Sequence, residues 1–328
     1  MTMEPVIEPV SREALKAELT PQTLLRTTNR AGNELYVVGP KAVNVIREIG
    51  RLREIAFRAD GGGTGKALDI DEFDTDPAFG YRQLVLWDPD SQEIIGGYRF
   101  CICDQALYNR EGQPVLTSSH MFQFSKKFIK EYLPYTLELG RSFVSIDYQS
   151  SKSGAKSLYA LDNLFDGIAA LGVLYKKRIK YFFGKATIYR EYPTQARELV
   201  MCFLKKYFGK GHRLIKIRKE VKLDRSTRRR YYHLFKGKDF KEGYRILKAE
   251  IQKMGVSIPP LVNTYMNLSP SMIYFGTGIN DEFGDVFDSG ILVTFMDMYP
   301  EKRERHSDTF LKQGWRHMRT LLRRFSKK

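Results

Sequence analysis

Cysteine is scarce in this chain: Cys101, Cys103 and Cys202 are the only three in 328 residues. Three thiols cannot build a disulfide framework. Cys101 and Cys103 would share one face of a strand with no nearby second pair of ligands, so a zinc site is not expected either. Buried thiols in a cytoplasmic protein are the expectation. Also missing is any stretch of about 18 uncharged apolar residues, which argues against a membrane-spanning helix. The first residues carry Glu4, Glu8, Glu13 and Glu18 and no apolar segment, so no secretory signal is expected. No internal repeat and no low-complexity tract occurs. Acidic residues are outnumbered, 38 against 54 lysines and arginines, which leaves a net charge of +16. Such an excess suits nucleic acid, an anionic membrane surface or an acidic protein. No RNA- or DNA-binding motif accompanies it, so nucleic acid is the least supported of the three.

What is present points to a packed globular chain. Hydrophobic residues make up 42%, with 21 Phe and 19 Tyr. The organising stretch is Glu138-Leu139-Gly140-Arg141-Ser142-Phe143-Val144, which reads as a strand. It carries two opposite charges, tolerated in a buried strand only when paired or put to use. Behind it, the polar loop Gln149–Ala155 opens an amphipathic helix with Leu158, Leu161, Phe165 and Ile168 on its apolar positions. Backbone amides at a helix N-terminus, next to a charged strand, can hold a phosphate beside reactive chemistry.

The remaining elements follow in order. A polar arm, 1–30, includes a short helix around Ser11–Leu19, and Leu35–Val38 is a strand before the helix Lys41–Arg58. The run Gly61–Lys66 resembles a Walker loop only superficially, because Ala67 replaces its Ser/Thr and Asp60 its first glycine; a mobile loop is expected. Asp69–Asp74 fails the calcium-loop spacing and reads in its plainest form as a solvated acidic turn. Gln83–Trp87 and Glu93–Cys103 form a hairpin that carries Arg99. Phe122–Tyr132 reads as a helix, Lys180–Tyr189 as a strand and Thr194–Phe208 as a helix. A basic helical insertion fills 205–255, and Leu261–Leu268 and Ile291–Met296 read as core strands. Residues 31–306 are expected to be one α/β domain, followed by a basic amphipathic helix at 307–328 whose apolar face includes Phe310, Trp315, Met318, Leu321 and Phe325.

That order of elements resembles the core of a GNAT-type acyltransferase: a mixed, mostly antiparallel sheet flanked by helices. Arg53, Phe57, the block Asp69-x-Asp71-x-Phe73-Asp74, Arg99 and Glu138-Leu139-x-Arg141 together resemble the motif set of acyl-homoserine-lactone synthases. They are equally similar to the N-acyltransferases that make ornithine and glycine aminolipids. Pro259-Pro260-Leu261-Val262 and Asp285-Val286-Phe287-Asp288, with the overall length and the Gly61–Gly65 run, are most similar to the Bacteroidetes glycine-lipid type. The resemblance implies transfer of a fatty acyl group, 3-hydroxylated by analogy, to the amine of glycine or an ornithine-like amino acid. An acyl-homoserine-lactone synthase remains an alternative, as does a nucleic-acid- or membrane-binding protein without activity.

Within that resemblance, Glu138 becomes the candidate base and Arg141 its catalytic companion, against the plainer alternative of an ion pair between them. Strand alternation sends residues 138 and 141 to opposite faces, so a bulge is expected between them, at Gly140. Arg99 and Arg141 suit an acceptor carboxylate. Asp69, Asp71 and Asp74 would attract its ammonium, hold the arginines, or lie solvated on the surface. Gln149, Gly154 and Ala155 fit a donor-binding loop whose middle glycine is replaced by Lys152. That replacement favours the single phosphodiester of an acyl carrier protein over the pyrophosphate of coenzyme A, unless Lys152 is merely solvated. No metal and no cofactor beyond the donor's phosphopantetheine is expected. An inner-membrane-surface association through the C-terminal helix stands beside the alternative that the helix packs on its own domain.

Overall fold

The computed structural model describes residues 3–149, 154–211, 213–311 and 320–323. In chain order its main elements are α1 (Arg12–Glu18), β1 (Leu24–Thr27), β2 (Glu34–Val38), α2 (Val43–Ala59), α3 (Glu72–Thr75), β3 (Arg82–Asp88), β4 (Glu93–Ile102) and β5 (Phe122–Phe124). There follow α4 (Lys126–Glu131), β6 (Thr136–Val144), α5 (Gly154–Leu174), β7 (Tyr181–Ile188), α6 (Thr194–Phe208), β8 (Ile215–Ile217), α7 (Arg225–Phe235), α8 (Phe240–Lys253), α9 (Pro260–Met266), β9 (Ile273–Asn280) and β10 (Val286–Thr294). They form two compact units: Met1–Leu107 with Pro134–Lys180 and Tyr299–Lys328, and Tyr108–Leu133 with Tyr181–Met298. The expected α/β chain with mostly antiparallel strands flanked by helices is what the structure has.

In the first unit β1, β2, β3, β4 and β6 lie side by side, every pair antiparallel. Strand β1 falls within the stretch read as a polar arm; its Leu25 and Arg26 are buried. Helix α2 buries Val45, Ile49, Leu52 and Ala56, residues three or four apart that make one apolar stripe. On α5, Gly167 lies against Leu84, so closely that a Cβ there would fall 2.7 Å from its Cδ2. Leu84 therefore faces α5, and Gln83, one residue earlier, faces α2. That parity sends polar side chains of the central strands toward α2, where the site forms.

The glycine run is ordered, contrary to the expected mobile loop. The buried Glu54 carboxylate accepts from Thr64 N at 3.0 Å, Thr64 Oγ1 at 2.8 Å and Gly65 N at 2.8 Å, and pairs with Arg58 Nε at 2.8 Å. The loop's N–H groups at Thr64 and Gly65 are thus taken up by an internal carboxylate.

In the second unit β7, β10 and β9 form an antiparallel set and β5 pairs with β8. Two expectations need correction here. Phe122–Tyr132 begins as strand β5 and becomes helix only at Lys126, because Ser125 caps α4 by accepting from Phe128 N at 3.1 Å. Leu261–Leu268 is helix α9, not a strand: Pro260 sits at its first position, where a missing N–H costs nothing. The strand expected there is β9, further along the chain.

The C-terminal segment rejoins the first unit through a π-helical turn at Glu304–Asp308. There His306 Nδ1 lies 2.7 Å from Asp166 Oδ1 of α5, and the Asn29 backbone N donates to the same carboxylate at 2.9 Å. Phe310 and Leu321 are buried. Trp315, Met318 and Phe325 lie outside the described residues. No helix among the described residues is long and apolar enough to cross a membrane.

Candidate active site

The site grows from the register between β4 and β6. Gly97 pairs with Phe143 and Arg99 with Gly140, so Tyr98 alone stands opposite both Arg141 and Ser142. This is the expected β-bulge, displaced one residue from Gly140. Arg141 has φ +46°, a left-handed backbone that a non-glycine residue adopts only under constraint. Glycine on β4 makes room for it: a Cβ on Gly96 would fall 2.5 Å from the Phe143 carbonyl oxygen. The bulge lets residues 138 and 141 serve one region despite the odd spacing between them.

Glu138 is buried, at 1% exposure. It pairs with Cys101 across the ladder, and the Tyr81 hydroxyl donates a hydrogen bond to its Oε2. Burial first, and then the Glu138 carboxylate, hold the Tyr81 phenol well above its usual pKa, so Tyr81 stays a donor. Arg141 is met by a different carboxylate: its Nε lies 2.9 Å from Asp69 Oδ2, with 20% of the arginine side chain exposed.

Beside them stands a buried charge cluster. Asp74 Oδ1 accepts from Arg53 Nη1 at 3.0 Å and Gln83 Nε2 at 2.8 Å, and its Oδ2 accepts from Arg99 Nη1 at 2.9 Å. Arg53 Nη2 also donates to Gln83 Oε1 at 2.6 Å. Asp71 caps α3, accepting from Phe73 N at 3.0 Å, while Asp74 reaches back to Asp71 N at 3.1 Å in a reciprocal capping box. Asp71 closes the cluster by accepting from Arg99. Burial would raise the Asp74 carboxyl, but the Arg53 and Arg99 guanidiniums outweigh it and hold the group far below its usual range. For Arg99, burial works against the charge, and Asp74 and Asp71 more than restore it. The acidic block is therefore not simply a solvated turn. Asp69 and Asp74 are each 2% exposed, whereas the Asp71 side chain is 30% exposed and Glu72 faces solvent.

Tyr81 and Gln83 were not among the expected residues. The hairpin register held the signal: Gln83 pairs with Arg99, and Tyr81, two residues earlier, shares its face. Phe73 and Tyr81 also lie at 5.8 Å and 5.7 Å from the Arg99 guanidinium, flanking it with aromatic rings.

The donor loop is described only in part. Gln149 is at hand, but its N–H goes to the Ile146 carbonyl at 3.2 Å and its side-chain amide to the Val144 carbonyl at 2.7 Å. Gly154 and Ala155 open α5, and Lys152 lies outside the described residues.

Residues 52–158 match the family model for the acetyltransferase (GNAT) domain. That span contains Glu138, Arg141, Arg99, Asp69, Asp71, Asp74, Gln149, Lys152, Gly154 and Ala155. Over 314 residues the chain is 51% identical to the glycine N(alpha)-acyltransferase of Phocaeicola vulgatus, covering 95% of each chain. It is also 51% identical over 310 residues to the protein of the same name in Bacteroides thetaiotaomicron, covering 94% of this chain and 91% of that one. The chain belongs to the GNAT acyltransferases.

For this N-acyltransferase, Tyr81 is expected to affect turnover through its hydrogen bond to Glu138. Tyr81→Phe removes one hydrogen bond to a buried carboxylate and little volume. A loss of such a bond, worth about 1.5–3 kcal/mol, should lower kcat by roughly tenfold or more while the acceptor KM stays nearly constant. Steady-state kinetics on the folded variant check the split. A change confined to KM would assign Tyr81 to acceptor binding instead.

Proposed function

We propose that this enzyme transfers a long-chain acyl group from the thioester of an acyl carrier protein to the α-amine of glycine. The name shared by the two relatives, glycine N(alpha)-acyltransferase, supports glycine as acceptor. The observation that carries the chemistry is the buried Glu138 carboxylate, fixed by Tyr81 beside a strained bulge. The amine nitrogen attacks the thioester carbonyl, and the tetrahedral oxyanion collapses with loss of the thiolate. Glu138 takes the proton that frees the amine lone pair from the acceptor ammonium, directly or through a water, and the second nitrogen proton leaves with the thiolate to give the thiol. Arg141 and Ser142 leave the regular β4 ladder at the bulge, which suits a role for their backbone N–H groups in oxyanion stabilisation.

The exposures divide the arginines between two roles. Arg141, at 20%, reaches the acceptor carboxylate; Arg99, at 3%, is committed to Asp71 and Asp74 and supports the site from beneath. Asp71 presents the more exposed carboxylate to the acceptor ammonium. A carrier-protein donor is supported by Lys152, where loops that bind coenzyme A pyrophosphate have glycine, and by the net charge of +16.

The experiment is turnover of a carrier-protein thioester with a panel of amino acids, followed by mass spectrometry. N-acylglycine as the main product is expected. Preference for ornithine would move the acceptor assignment. A lactone formed from S-adenosylmethionine would overturn the function itself.

A further inference from the structure

The basic insertion does not present its charges uniformly. Lys238 pairs with Glu242, Lys253 with Glu250 at 2.6 Å and Lys219 with Asp281, while Lys206 sits 4.8 Å from the Tyr207 ring. Helix α7 is different. Its Thr227, Tyr231 and Phe235 are buried, with Phe235 against Phe203 of α6 at 5.4 Å and the Tyr231 hydroxyl donating to the Gln195 carbonyl at 3.2 Å. This anchored face fixes the flank beside it, on which Arg225, Arg228, Arg229 and Tyr232 stand at i, i+3, i+4 and i+7. All four are exposed, Tyr232 at 57%, and they line a shallow concavity of about 350 Å³. None of the three arginines forms an ion pair with a carboxylate among the described residues. Neighbouring like charges repel, so the fold gains nothing from such a row.

We infer that this row on α7 is a docking surface for an acidic protein, the carrier that delivers the acyl thioester. The residue types separate this partner from a lipid surface. Arginine and tyrosine are the types enriched at protein–protein hot spots, and the guanidinium fork matches carboxylates in two-point contacts. A membrane would be served equally by lysine and would ask for apolar side chains to insert, and among its exposed residues α7 offers Tyr232 but no aliphatic group. A row whose backbone is held by the buried face needs no backbone ordering on association. This inference rests on the acyl-transfer reading and narrows the partner's footprint to one helix face.

The test compares two donors of the same acyl chain, the carrier-protein thioester and the small N-acetylcysteamine thioester. In the triple variant Arg225→Gln, Arg228→Gln, Arg229→Gln, the KM for the carrier-protein thioester should rise about tenfold or more at low salt, and the wild-type salt dependence should flatten. Turnover of the cysteamine thioester should be unchanged, because that donor has no protein to dock. Binding of the unacylated holo-carrier, followed by fluorescence anisotropy, should weaken in parallel and needs no catalysis. An unchanged carrier KM overturns the inference, including the case where the variant instead loses binding to anionic vesicles. Equal losses on both donors also overturn it, since the row would then serve the fold or the chemistry. If wild type turns over neither donor, the acyl-transfer reading itself fails, a result distinct from these.

Discussion

Glu138→Gln should lower kcat by about 100-fold or more while the protein folds as before. The substitution is nearly isosteric and keeps an oxygen in place to accept from the Tyr81 hydroxyl. What it removes is the ability to take a proton. A neutral amide also needs less solvation than a carboxylate, so the buried position tolerates it well. Acceptor KM should change far less than kcat, because the loss is felt only as the nitrogen sheds its proton. The measurement is steady-state turnover of one carrier-protein thioester with glycine, alongside circular dichroism and thermal unfolding of both proteins. Near-normal kcat in a well-folded variant would reduce Glu138 to a structural partner of Tyr81.

Much of this arrangement is legible in the sequence because it depends on local pattern. Two apolar runs on either side of the turn at Pro89–Gln92 define a hairpin, and that hairpin alone brings Gln83 beside Arg99. The odd spacing of Glu138 and Arg141 demands an extra residue in β6, and the bulge is there. What local pattern conceals is which charges are buried. Asp71, Asp74 and Glu72 look alike in a polar segment. Only the approach of Arg53 from α2 and Arg99 from β4, at separations of 21 and 25 residues from Asp74, turns Asp74 into a core residue. The Gly61–Lys66 loop misleads for the same reason, since its anchor, Glu54, lies in the middle of a helix. Leu261–Leu268 shows a different limit. A short apolar run fits a buried strand and a helix equally, and the decision rests with Pro260 at its start.

Asp74→Asn should be among the most destabilising single changes in the chain. The Asp74 side chain is 1% exposed and accepts from Arg53, Arg99 and Gln83, so its loss as an anion leaves two buried guanidiniums sharing Asp71 and Asp69 as the nearest carboxylates. Breaking a buried pair in this way costs about 3–5 kcal/mol, more than most surface changes by far. The pH dependence has a definite sign. The folded pKa of Asp74 is depressed, so its contribution is fully present above the unfolded value of about 3.9 and is lost as pH falls through the folded pKa. Urea unfolding should therefore show a constant gap between wild type and variant from pH 5 to pH 7. Below about pH 4 the gap should narrow, because the unfolded chain's Asp74 takes up a proton that the folded carboxylate, held by the two arginines, does not; it closes only once pH falls below the depressed folded pKa. Activity should fall with stability even where the variant stays folded, since Arg99 and α3 lose the anchor that orients Asp71 toward the acceptor. A variant as stable as wild type at pH 7 would mean that Asp71 and Asp69 alone neutralise the two arginines, and Asp74 would lose its place at the centre of the cluster.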